Sequence, residues 1–171
     1  MQSFSPQDQR RLRDVVESAR RLQHGERPYL EQISSELNGL LRSEKVCSYG
    51  VSGDEGNYTL DFMFGSGFSP AAAAKVTSDF FATHSTRWGA FDPSCPEPRQ
   101  RNRVFRLSQM QALIGTAVPV NTILYPRLGF YGLDNVRVLV CEGGSLLAWV
   151  GAFRREPFTA RELRLLAAIT P

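Results

Sequence analysis

The sequence predicts an α+β domain whose strands pair as antiparallel hairpins and whose helices stand near both ends of the chain. Three observations carry this. Residues 136–153 read as strand, Gly143-Gly144, strand: Val136, Val138 and Val140 alternate with Arg137 and Leu139, and the double glycine suits a tight turn. Tyr58, Leu60, Phe62 and Phe64 alternate with Thr59, Asp61 and Met63, which predicts one strongly apolar face on an extended run. Near each terminus, apolar residues instead recur at the spacing of an amphipathic helix.

Taken in order, Ser5 can cap a first helix, with Pro6 in its first turn and Asp8 closing a short-armed capping box. Leu12, Val15, Val16, Ala19 and Leu22 form its apolar stripe, and His24-Gly25 stops it. A second helix begins near Pro28 and runs through Arg42 on Leu30, Ile33, Leu37, Leu40 and Leu41. Gly39 within it costs about 1 kcal/mol relative to alanine, which suggests close packing against a neighbour. The period then changes. Residues 46–51 and 58–64 flank the turn cluster Gly53-Asp54-Glu55-Gly56-Asn57 and read as a hairpin. Ser69-Pro70 opens a third helix over 71–83, apolar at Ala73, Val76, Phe80 and Phe81. From 86 to 103 prolines and glycines break regular structure, over a stretch longer than the roughly 12–15 residues of an ordinary loop. Residues 104–107 are a candidate strand, and Ser108 can cap a short helix to 113 or 114. After the second hairpin, Thr159 and Glu162 form a capping box, Phe158 can staple onto Leu163, and Leu163, Leu166, Ala167 and Ile169 make the closing apolar face.

The chain has 171 residues, 42% hydrophobic and 22% charged, with a net charge of +3, so one domain with one real core is expected. No apolar run approaches the roughly 18 residues of a membrane span, and the polar N-terminal stretch lacks the apolar core of a secretory signal. The three cysteines form no CxxC pair and are expected as reduced thiols in the cytoplasm. Cys47 and Cys141 fall in β-like runs as small buried hydrophobes, while Cys95 lies in a loop. Arg99, Arg101, Arg103 and Arg106 form the most basic stretch. They either contact phosphates or belong to a solvated loop whose alternate arginines share one face of an extended chain. His84 reads as a helix-end histidine or as a base or haem ligand. No P-loop, G-x-G-x-x-G or G-x-S-x-G occurs, the two histidines make no metal signature, and no cofactor is implied.

The stretch VRVLVCEGGSLLAWVGAFRREPFTARELRLLAAITP resembles the close of GAF-like sensor regions in bacterial LuxR-type helix-turn-helix transcription regulators. The order of elements is similar to that family over roughly 28–171, and the motif over 135–171. The resemblance implies a GAF-like fold, a relative of the PAS fold. Its central antiparallel sheet carries the N- and C-terminal helices on one face and short helices and loops over a small-molecule pocket on the other. It also implies a division into an N-terminal dimerisation helix, 1–26, and a sensory domain, 27–171. Departures are plain: no cysteine here is followed by the histidine of bilin-binding members, neither lysine follows an asparagine as in cyclic-nucleotide-binding members, and the isolated cysteines do not reproduce the pattern of methionine-sulfoxide reductases.

The pocket implied by the resemblance would be lined by Tyr58, Phe62, Phe64, Trp88, Phe91 and Tyr125, with Tyr125, Arg103 and His84 orienting a small, largely apolar ligand. The competing reading is that these rings simply fill the core. A highly anionic ligand is not expected deep inside, since no arginine sits on the apolar strand face of 58–64. The expectation is therefore a non-enzymatic, ligand-sensing homodimer that reaches DNA only through a helix-turn-helix not present in this chain, without contact to a membrane. The alternatives are an assembly-only domain or a redox enzyme using Cys95.

Overall fold

The computed structural model describes residues 4–21, 28–53, 58–84, 96–109 and 119–170. Helix α1 spans Pro6–Arg21 and α2 Pro28–Leu41. Strands β1 (Lys45–Ser52) and β2 (Thr59–Ser66) form the first hairpin, and α3 (Pro70–Thr83) follows with the Ser69 hydroxyl accepting the Ala72 N–H at its start. A short edge strand β3 (Val104–Arg106) precedes a π-helical segment, Val120–Leu124, that runs into a single α-turn, Tyr125–Arg127. Strands β4 (Asp134–Glu142) and β5 (Ser145–Arg154) form the second hairpin, and α4 (Ala160–Ala167) closes the described chain.

All strand pairs are antiparallel, and the five strands lie in the order β2-β1-β5-β4-β3. The two-residue turn at Gly143-Gly144 takes a positive φ of 56° at Gly143, while Gly144 is not among the positive-φ glycines, so one glycine rather than two supplies the left-handed conformation. The pleat divides the core. Val46, Val136, Val138 and Ala152 face α1, α2 and α4 together with Leu37, Leu40, Leu41, Phe158, Leu165 and Leu166. Cys47, Leu139, Cys141, Trp149 and Phe153 face the other way, under Phe80, Phe81, Leu124 and Phe130. Central strands buried on both faces need apolar residues at successive positions, which is why β4 and β5 read as near-continuous hydrophobic runs.

A β-bulge corrects the expectation for β2. Val51 pairs with Leu60, but Gly50 pairs with Phe62, so Asp61 is the extra residue. One inserted residue moves every later side chain to the opposite face. Phe62 and Phe64 therefore stand opposite Gly50 and Ser48 on the helix side, while Tyr58, Leu60 and Met63 pack towards the second core. The Phe62 ring occupies the space above Gly50, where a Cβ would come within 2.2 Å of it.

The first helix is part of the core. Val15 is buried and Leu12 packs beside it against the α2–α4 layer, and Ser18 Oγ donates to Glu36 Oε1 on α2 at 2.5 Å. Asp8, itself buried, accepts from the Ser5 hydroxyl at 2.8 Å and from Arg161 Nε of α4 at 3.1 Å. Burial pushes its carboxyl up, but the hydrogen bonds from Ser5 and Arg161 outweigh this and hold it below the ordinary carboxylate value. The apolar stripe of the helix that the resemblance assigns to dimerisation is thus packed into this core at Leu12 and Val15, whereas Ala19 and Leu22 lie outside the described side chains. Replacing Val15 by Glu places a carboxylate in this buried layer. It is expected to cost about 2–4 kcal/mol of stability, seen as a lower urea midpoint, rather than to leave the fold intact.

Gly39 differs from its expectation too: nothing lies within 4 Å of the position its Cβ would take, so it marks no close packing. The arginine stretch shares no face. Arg99 pairs with Glu97 at 2.6 Å, Arg101 donates to the carbonyls of Pro96 and Gly143, and Arg103 is exposed on the α4 side of the edge strand. Residue 107 begins a helical turn rather than ending the strand. Asn102 extends the sheet edge instead: with φ at 50°, its side-chain oxygen accepts the Cys141 N–H at 2.7 Å and its Nδ2 donates to the Cys141 carbonyl at 3.0 Å.

Candidate functional site

On the sheet face away from α1, α2 and α4, packing leaves a small cavity of about 20 Å³. That is room for one water molecule or a similarly small group. Strands β1, β4 and β5 supply its floor through Cys47, Tyr49, Arg137, Trp149 and Phe153; α3 supplies Thr77; the π-helical segment and the turn after it supply Leu124, Tyr125 and Leu128. The register explains the floor. Gly151 on β5 lies opposite Cys47 on β1 and Arg137 on β4, and the Trp149 indole lies across it, 2.0 Å from where a Cβ would stand. Trp149 in turn stacks on Tyr49, with ring centroids 5.1 Å apart and planes 13° apart. Tyr125 meets Phe153 edge-on at 5.5 Å, and Phe130 closes on Phe153 at 4.4 Å.

Within these apolar walls stand four polar groups. Arg137 is 4% exposed, and burial lowers its pKa while Tyr125 and Tyr49 oppose that shift. Burial likewise raises the Tyr125 hydroxyl to about 12 and the Tyr49 hydroxyl well above its ordinary value, so both remain protonated donors at neutral pH. Thr77 is 1% exposed, and its hydroxyl has no hydrogen-bond partner among the described residues. An isolated buried hydroxyl costs roughly 1–3 kcal/mol, so this site carries a polar demand that its protein neighbours leave open. Burial pushes the Cys47 thiol up to about 12, which makes it inert as a nucleophile.

The predicted site residues divide. Tyr125 lines the cavity, and Tyr58 packs against the same core. Phe62, Phe64 and Arg103 lie on the opposite face of the sheet. His84 ends α3 with its ring stacked on Phe80 at 4.5 Å and Nδ1 within 2.9 Å of the Thr83 hydroxyl, turned to its own helix end. Trp88, Phe91 and Cys95 lie outside the described residues. Sequence reasoning missed Arg137, Thr77 and Tyr49 as cavity residues. The expectation of no highly anionic ligand deep inside rested on the absence of arginine from the 58–64 strand face; Arg137 of β4 places a buried guanidinium in the cavity from another strand, and the signal was present: one arginine within VRVLVC, a run apolar on both faces. Among the described residues no cluster of three metal-ligating side chains occurs, and no helix is long and apolar enough to cross a membrane.

This arrangement is a GAF-like fold: a five-stranded antiparallel sheet with helices in an α+β architecture, closed on one face by terminal helices and on the other by α3 and the π-helical turn. The GAF domain from a phosphoenolpyruvate-protein phosphotransferase of Coxiella burnetii superposes on it with a TM-score of 0.57, at 14% identity over 95% of this chain and 87% of that one. The GAF domain/HD domain protein of Geobacter sulfurreducens is 16% identical over 92% of this chain and 87% of its own, with a TM-score of 0.42. No protein-family model and no curated protein matches the chain.

Proposed function

We propose that this chain is a non-enzymatic regulatory domain that senses a small molecule at the cavity lined by Thr77, Tyr49, Tyr125 and Arg137, and passes that state to an output such as a transcription regulator. The observation that carries the reading is a small cavity whose apolar walls hold four polar groups, with the Thr77 hydroxyl buried and without a partner among the described residues. Small-molecule sites have this character: apolar walls with a few convergent polar groups. The free volume is small, so a ligand larger than a few atoms requires the turn bearing Tyr125 and Leu128 to move outward. That coupling gives the two states with different ligand affinity that sensing demands. Short π-helical segments occur frequently at functional sites. Self-association, a cytoplasmic location and contact with DNA through a separate helix-turn-helix belong to the same proposal.

A thermal-shift screen of metabolites tests it. A true ligand at one hundred times its dissociation constant stabilises the domain by about 2.7 kcal/mol. Thr77→Val, nearly isosteric, is expected to hold or raise the stability of the free domain by about 1 kcal/mol while weakening that ligand, because it removes an unsatisfied hydroxyl the ligand would use. A second reading, assembly without a ligand, is favoured by the closeness of the packed rings. It prevails if no compound shifts the intact chain.

A further inference from the structure

We propose that a second, outer groove binds a small oxyanion carried on a flat aromatic body. This goes beyond the inner-cavity reading and uses different polar residues. The groove, of about 670 Å³, opens between the end of β3, the π-helical segment and the chain on either side of the second hairpin. Its size falls in the roughly 300–1,000 Å³ range of small-molecule sites. Arg106 and Arg155 both line it, and among the described residues neither guanidinium has a carboxylate partner. Arg106 Nε is buried without a hydrogen-bond acceptor among the described residues. Of the carboxylates nearby, Asp134 in the groove wall accepts the Phe158 N–H on Oδ2 at 2.8 Å, and Glu44 Oε1 accepts the backbone N–H of Arg155, so neither is ion-paired to Arg106 or Arg155. Two arginines lining one concavity offer it guanidinium forks whose N–H groups match carboxylate or phosphate oxygens.

The aromatic part follows from the turn before β4. Gly129 and Gly132, at φ 69° and 75°, let consecutive residues point oppositely, so that Phe130 is 2% exposed while Tyr131 stands 77% exposed at the groove. An exposed ring beside two cations offers a stacking surface for a planar ligand. Tyr125 and Phe130 line both the groove and the inner cavity, so an occupant here would rest on the wall that separates the two.

Isothermal titration at low ionic strength, where rim charges are least screened, tests this with benzoate, phenyl phosphate and benzamide. At least one of the two anions is expected to bind at least tenfold more tightly than neutral benzamide, and the stronger one identifies the headgroup. The Arg106→Gln/Arg155→Gln double variant should lose at least tenfold, and the exposed Tyr131→Ala, which cannot disturb the core, at least threefold; Thr77→Val should bind as the unmodified chain does. Equal binding of benzamide, unaltered binding in the double variant, or no heat from any of the three compounds up to about 10 mM overturns the proposal. Loss of benzoate binding in Thr77→Val with retention in the double variant also overturns it, and moves the anion to the inner cavity.

Discussion

Replacing Glu162 by Ala is expected to destabilise the domain by about 3–5 kcal/mol, the range for removing one partner of a buried ion pair. Glu162 and Arg154 meet in a two-pronged contact at 2.8 and 2.7 Å with side chains only 6% and 9% exposed. Arg154 also donates to the carbonyls of Leu41, Glu156 and Pro157, and its guanidinium lies 4.2 Å over the Phe158 ring. One side chain thus joins the end of α2, the end of β5 and the start of α4. Glu162 adds the capping box, accepting from the Thr159 N–H and hydroxyl. A buried pair can often be replaced by two apolar residues at little loss. Here the double variant Arg154→Met/Glu162→Met should remain destabilised, because three backbone carbonyls would lose their donor. The pH dependence follows from the same contacts. Burial raises the Glu162 carboxyl, but the hydrogen bonds from Arg154 and Thr159 outweigh it and hold it below its ordinary value. Its contribution is therefore present above the unfolded value of about 4.3 and lost as pH falls through the lower folded value. Urea melts at a series of acid pH values should show Glu162→Ala with the flatter profile; an equal slope in both chains would remove Glu162 from the account. Asp8, shifted the same way, leaves a residual slope.

Gly151→Ala should cost about 3 kcal/mol, at the upper end for overpacking a core. Its Cβ would lie 2.0, 2.5 and 2.8 Å from three atoms of the Trp149 ring. The far end of a flexible side chain would yield cheaply, as Phe62 over Gly50 can. Trp149 is 2% exposed and held by its stack on Tyr49, so the indole must leave that stack or the strand must bend. The paired variant Gly151→Ala/Trp149→Leu should be less damaged than the sum of its parts, by 1 kcal/mol or more, since the clash is a property of the pair. Chemical denaturation of the four chains of this cycle measures that coupling, and simple additivity would contradict the arrangement of the cavity floor.

The legible parts of the fold were those where one local rule acts alone. Thr159 and Glu162 stand in a capping box as the spacing predicts, and Ser5, Ser69 and Gly143 take their end and turn positions. Phe62 and Phe64 were misplaced because a single extra residue, Asp61, reverses a period of two, and no composition signal marks a bulge at an aspartate. The π-helical segment over Val120–Leu124 gave no periodic pattern to read. The candidate site was less legible because it forms across elements distant in sequence. Thr77 is polar on a helix face otherwise packed with Phe80 and Phe81, and Arg137 looks like the outward half of an alternating strand until the second face of the sheet proves to be covered. Tyr125 was found because it is a large ring in a connecting segment.

Trp149 fluorescence is the most direct test of the sensing cavity. In a Trp88→Phe background, the compound giving the largest thermal shift is titrated while Trp149 emission is followed. The cavity reading predicts a saturable change whose midpoint matches the thermal data and which is strongly weakened in Thr77→Val. Thermal stabilisation with no change at Trp149, and no loss in Thr77→Val, would contradict it.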